Sequence, residues 1–155
     1  MEEKTPQGGF CYKYPRPAVT TDCVIFGTDG NQVKVLLVQR GHPPYQGQWA
    51  FPGGFLNMDE SAEDGALREL REETGYEAGH AEQFYTFTTP NRDPRGRVIS
   101  IAFYAIVPLR SVKGGDDAAQ ARWFAIDDIP PLAFDHDAML QKALAVVREK
   151  QLLNI

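Results

Sequence analysis

The chain alternates between short apolar runs of strand length and two stretches whose apolar residues recur with helical spacing. Ala18 to Phe26, AVTTDCVIF, is rich in β-branched residues and reads as a strand, and Thr28-Asp29-Gly30-Asn31 is a turn. Val33 to Arg40, VKVLLVQR, is a second strand whose unbroken apolar run predicts cover on both faces, and the two strands form a hairpin. Gly41 to Gln48 is a Gly- and Pro-containing loop leading into the turn Phe51-Pro52-Gly53-Gly54. A helix follows. Ser61 is its N-cap, with Asp64 in the capping-box position, and Gly75 is its left-handed C-terminal cap. Strands are predicted at Gln83 to Thr89, Arg97 to Val107 and Ala121 to Ile126. In the longest of them Phe103 and Tyr104 are adjacent and so face opposite sides. Polar loops lie at Asn91 to Gly96 and Ser111 to Gln120. Asp135 offers an N-cap for a final helix to about Leu152, with Met139, Ala143, Val146 and Val147 as its apolar stripe. This order predicts an α/β fold with a mixed sheet and helices on both faces.

Length and composition narrow the picture. At 155 residues the chain suits one domain with one substantial core, spanning 1–155. A net charge of -5 argues against a general nucleic-acid or anionic-membrane binder, because both rely on basic surface. There is no signal-peptide pattern or long apolar run, and Cys11 and Cys23 form neither a disulfide framework nor a metal-type spacing. Cytoplasm is the default compartment. The first seventeen residues read as an irregular arm, whose Tyr12, Tyr14, Pro15 and Pro17 fit either the body of the protein or a partner subunit in a homodimer.

The chemistry concentrates between Gly54 and Tyr76, GFLNMDESAEDGALRELREETGY. On the predicted helix Glu69, Glu72 and Glu73 are spaced i, i+3, i+4, so the three carboxylates point roughly one way and repel. Arg68, at i, i+4 from Glu72, offsets part of that repulsion. Acidic runs on helices are usually solvated surface, but here Ala62 and Ala66 lie beside the acids and let neighbouring backbone approach. The glycines of the preceding turn can expose carbonyl oxygens to the same face. Carboxylates with a backbone carbonyl make a hard-oxygen site suited to Mg²⁺ or Mn²⁺.

The pattern of Gly54, Glu60 and the run Arg68-Glu69-Leu70-Arg71-Glu72-Glu73-Thr74-Gly75-Tyr76, with its lead-in Trp49-Ala50-Phe51-Pro52-Gly53-Gly54, resembles the Nudix box. One position departs: Tyr76 stands where that family usually carries an aliphatic residue. The resemblance implies an α/β/α sandwich and hydrolysis of a nucleoside diphosphate linked to another group. It also implies that Glu69, Glu72, Glu73 and the Gly54 carbonyl hold the metal, that Arg68 orients a box glutamate, and that Glu60 supports the site. The general base is expected to be Glu72 or another box glutamate, or an acid of a later loop, where Asp116 and Asp117 stand; Asp117 is included with Glu72, Glu73 and Arg68 among the catalytic residues.

Substrate walls are predicted from charge. Arg40 ends the second strand and is suited to bidentate phosphate contact. Arg92, Asp93 and Arg95 form a second cluster able to grip phosphate or ribose hydroxyls. The string RDPRGR, with Pro15-Arg16-Pro17 upstream and Phe134-Asp135-His136 downstream, resembles the ADP-ribose pyrophosphatase branch. It also resembles Nudix domains of nicotinamide mononucleotide adenylyltransferases and of NAD-linked transcriptional regulators. Two function classes follow: a hydrolase giving AMP and ribose 5-phosphate from ADP-ribose, and a domain that senses ADP-ribose without turnover. The complete set of box acids favours the hydrolase. So does the short stretch beyond Asp135, which the last helix consumes and which leaves no DNA-reading module in this sequence. Sugar nucleotides, dinucleotide polyphosphates, NADH and oxidised nucleotides remain alternative substrates. His136 reads as a helix-start residue in local hydrogen bonds.

Overall fold

A computed structural model describes residues 2–4, 8–115 and 118–155. Strand β3 (Ala18–Thr28) organises the main sheet. Along its full length it pairs in parallel with β8 (Val98–Pro108), from Ala18 opposite Val98 to Thr28 opposite Pro108. Its other edge is shared. The first part pairs antiparallel with β6 (Gly53–Phe55), and the last part with β4 (Val33–Arg40), where Phe26 faces Val35 in the expected hairpin. β4 also pairs with β5 (Trp49–Ala50) and with β9 (Ala118–Ala125), while β7 (Glu82–Phe87) forms the opposite edge on β8. β9 begins three residues earlier than predicted, because β4 offers a free ladder as far as Arg40 opposite Ala118.

Two helices cover the sheet, completing the α/β/α sandwich. α1 (Ala62–Thr74) packs Ala66 and Leu70 against Cys23, Ile25, Leu36 and Phe103 on one face. α2 (His136–Glu149) packs Met139, Leu140, Ala143, Leu144 and Val147 against Val24, Phe26, Val35, Leu37 and Tyr104 on the other. Adjacent residues of β3 and β8 thus feed opposite cores, as the pleat requires. Tyr76 fits its position by burying its ring in the α1-side core while its hydroxyl donates to the Pro108 carbonyl at 2.7 Å.

Two local expectations need correcting. The N-terminal arm is not wholly irregular: β1 (Glu2–Lys4) and β2 (Phe10–Tyr12) pair antiparallel. Asp135 makes no side-chain cap to α2, because its carboxylate is held by Arg92 instead. Among the described residues no helix is long and apolar enough to cross a membrane.

Candidate active site

The site is assembled where β3, β4, β6, α1 and the N-terminus of α2 meet. Local rules build α1: Ser61 Oγ accepts the Asp64 N–H at 3.2 Å, and Gly75, at φ 75°, closes the helix through its N–H to the Arg71 carbonyl. Arg68 is the hub of the acidic face. Its guanidinium binds both oxygens of Glu60, at 2.6 and 2.9 Å, and reaches Glu69 at 2.9 Å, Glu72 at 3.1 Å and the Phe55 carbonyl at 3.3 Å. The contact with Arg68 holds the Glu60 carboxyl down to about 2. Glu60 also accepts the Asn57 N–H, which ties the loop to the helix.

The three box glutamates divide. Glu69 and Glu73 face a cavity of about 380 Å³, whereas Glu72 is the most exposed of the three, at 39%, and turns toward Arg68. Burial, and then the adjacent Glu69, pushes the Glu73 carboxyl well above the usual carboxylate range, while the Gly53 N–H opposes that shift. Backbone approaches here as the small residues predicted: a Cβ on Gly54 would lie 2.5 Å from Glu69 Oε1. Among the described residues no three His, Cys, Asp or Glu side chains already converge as a metal cage. The donor set nonetheless suits a hard divalent cation, which would relieve the repulsion that a raised Glu73 pKa otherwise relieves with a proton.

The cavity runs from these acids to a cationic and aromatic wall formed by Arg40, Arg95, Phe55 and Phe134. The Arg40 guanidinium donates to the Pro44 carbonyl at 2.7 Å and lies 4.9 Å from the Phe134 ring centre. Burial, helped by Arg95, lowers its pKa. Arg95 spans Phe55 and Phe134, at 4.7 and 5.4 Å from the ring centres. Phe134 holds φ at 54° and packs edge-on to Tyr45, itself at φ 58°, with ring centres 4.7 Å apart. Left-handed backbone at two non-glycine residues in one contact is strain, kept by the surrounding packing.

Arg92 and Asp93 line the cavity, but their charged groups are engaged. Arg92, with a side chain 4% exposed, grips both Asp135 oxygens at 2.6 and 2.8 Å. Asp93 is buried and anchors Arg95 at 2.7 Å. Phe51 and Tyr104 are both buried in the α2-side core, and only Phe51 also lines the cavity. Asp116 and Asp117 lie outside the described residues; nearby Gly115 packs against the Glu72 carbonyl, where an added Cβ would sit 2.6 Å away.

Sequence reasoning missed Asp22 and undervalued His136. Both are buried and line the cavity. A legible signal existed for the first: a lone carboxylate inside the apolar run AVTTDCVIF.

A family model described as NUDIX domain matches residues 16–143. An ADP-ribose pyrophosphatase of Methanocaldococcus jannaschii is 39% identical over 128 residues, covering 83% of this chain and 73% of that protein. The ADPR responsive transcriptional repressor NtrR of Acinetobacter baylyi is 32% identical over 142 residues; the alignment covers 88% of this chain but only 57% of the repressor. The NUDIX domain of Shewanella oneidensis NrtR, solved with ADP ribose, superposes with a TM-score of 0.81 at 32% identity, covering 86% of this chain and 90% of that one.

Proposed function

The chain belongs to the Nudix family and is a pyrophosphohydrolase, and we propose that it hydrolyses ADP-ribose to AMP and ribose 5-phosphate with a divalent cation. The observation that carries this reading is that one cavity joins the Glu69 and Glu73 carboxylates to the Arg40, Arg95 and Phe134 wall. Its volume lies within the range of small-ligand sites. A substrate with two phosphates, an aromatic base and sugars needs cations, an aromatic face and polar edges, all of which this cavity has. The likeness to the archaeal pyrophosphatase supports the same substrate.

In this reading Glu69, Glu73 and the Gly54 carbonyl hold Mg²⁺ or Mn²⁺, with Glu72 completing the acid set. When bound, the ion neutralises phosphate charge, polarises the P–O bond and lowers the pKa of a water. The protein's own groups do the rest. Arg68, fixed by Glu60, orients Glu69 and Glu72. Glu72, the most exposed box acid, is our candidate to take the proton of the attacking water, and Asp117 is the alternative base. Arg40 and Arg95 bind phosphate, and Phe134 offers its ring to the base. Asp93 positions Arg95 rather than touching substrate.

A second reading, sensing of ADP-ribose without turnover, is favoured by the likeness to the Shewanella domain solved with that ligand. Product chromatography on a panel of ADP-ribose, ADP-glucose, NADH, diadenosine polyphosphate and 8-oxo-dGTP, with Mg²⁺, Mn²⁺ or chelator, separates the readings. AMP and ribose 5-phosphate, formed only with metal and at the highest kcat/KM of the panel, are expected. Tight binding with no product establishes the sensor, and a rival substrate better by tenfold or more, roughly 1.4 kcal/mol, overturns the substrate assignment.

A further inference from the structure

Asp22 and His136 hold one unused acceptor and one unused donor in the cavity wall. The Ser100 hydroxyl on β8 donates to Asp22 Oδ2, and Oδ1 makes no hydrogen bond among the described residues. His136, the first residue of α2, accepts the Phe51 N–H on Nδ1 at 3.0 Å. A ring nitrogen that accepts carries no proton, so the neutral imidazole has its proton on Nε2. Burial keeps the ring neutral by lowering its pKa, with Asp22 and Asp135 opposing and Arg92 and Arg40 reinforcing that shift. Phe51 and Phe134 hold the ring, each with its centre 5.6 Å away. Nε2 then stands 3.8 Å from Asp22 Oδ1, beyond a direct hydrogen bond.

A donor and an acceptor at this separation can both be reached by one oxygen that lies on the cavity side of the line between them, about 2.8 Å from each. A phosphate oxygen could accept from Nε2–H but would face the Asp22 carboxylate as an anion. An ammonium could donate to Asp22 but would oppose Nε2–H. A hydroxyl satisfies both, accepting from His136 and donating to Asp22. We propose that Asp22 and His136 read a sugar hydroxyl of a nucleoside diphosphate substrate and so help set its specificity. The proposal rests on the substrate class inferred above and deepens it. A sugar hydroxyl is preferred to a water because the pair adjoins Phe134 and Arg40, the wall assigned to the nucleotide.

The test compares ADP-ribose with its monodeoxy analogues on the wild-type protein, by kcat/KM and by calorimetric binding in parallel. One analogue should lose about tenfold or more, because its absence leaves buried groups unpaired, and the others should stay within about threefold. His136→Phe and Asp22→Asn should each lose about tenfold or more on ADP-ribose but nothing further on that one analogue. His136→Gln, which keeps an N–H donor, should recover part of the loss. Should one variant fail to fold, the others carry the comparison across the same analogue series. Analogues all within threefold of ADP-ribose, or variant losses equal across every substrate, overturn the proposal; the latter result assigns the pair to a bound water or to packing. Hydroxyl-dependent binding without hydrolysis would sink the hydrolase reading and keep the pair. Loss of both binding and hydrolysis sinks both.

Discussion

Replacing Gly54 by Ala tests whether close backbone approach to Glu69 is what shapes the acid cluster. Gly54 does not have a positive φ, so alanine there carries no backbone strain. The effect is steric. The new Cβ would lie 2.5 Å from Glu69 Oε1 and 2.6 Å from its Cδ. Ordinary contact needs about 3.4 Å or more, so the carboxylate must retreat by about 1 Å. Glu69 is not free to do so without loss, because Arg68 holds it at 2.9 Å and the side chain is only 15% exposed. Breaking that charge-assisted bond costs on the order of 1 kcal/mol, which for a chain of this size lowers Tm by about 2–4 °C. The catalytic cost is larger, since displacement of a positioned group by about 1 Å can lower the rate about a hundredfold. Gly54→Ala should therefore lose about two powers of ten in kcat/KM with a small change in Tm, and it should need more metal for half-maximal activity. Gly79→Ala is the control, as nothing lies within 4 Å of its added Cβ. Steady-state kinetics across a metal titration, with thermal melts, read all three quantities. Activity within threefold of wild type would refute the reasoning, and so would a loss that merely follows a collapse in Tm.

Three further outcomes are expected. Arg40→Ala should raise KM for the nucleotide about tenfold or more with little change in metal midpoint, because Arg40 contacts Pro44 and Phe134 rather than the acids; a shifted metal titration with unchanged KM would contradict this. Arg92→Ala should destabilise by about 3 kcal/mol, leaving Asp135 without its partner, and melts of the variant would expose the error if Tm were unchanged. Glu60, its pKa lowered to about 2 by Arg68 from an ordinary 4.5, gives stability that is fully present above pH 4.5 and lost as pH falls toward 2. After solvent screening this is on the order of 1 kcal/mol, and Glu60→Gln should flatten that part of the acid unfolding curve.

What the sequence determined by itself was whatever depends on neighbours a few residues apart. Ser61, Asp64 and Gly75 fix the ends of α1 through bonds spanning three or four residues, and the i, i+3, i+4 spacing puts the glutamates on one side. The β3–β4 hairpin follows from a turn signal between two β-branched runs. Tertiary structure decided how the acids divide: the cavity takes Glu69 and Glu73 while Glu72 stays more exposed, although Arg68 binds both Glu69 and Glu72, a choice made by burial that spacing cannot express. It also decided Asp135. The capping rule ranks that carboxylate for a local N–H, but Arg92, 43 positions away, supplies a buried bidentate cation and wins. The Asp22–His136 pair lay furthest from reach. It exists because the parallel β3–β8 ladder sets Ser100 beside Asp22 across 78 positions, and the Phe51 N–H fixes His136 across 85. Contacts of that span are set by the packing of the whole sheet, which no local pattern encodes.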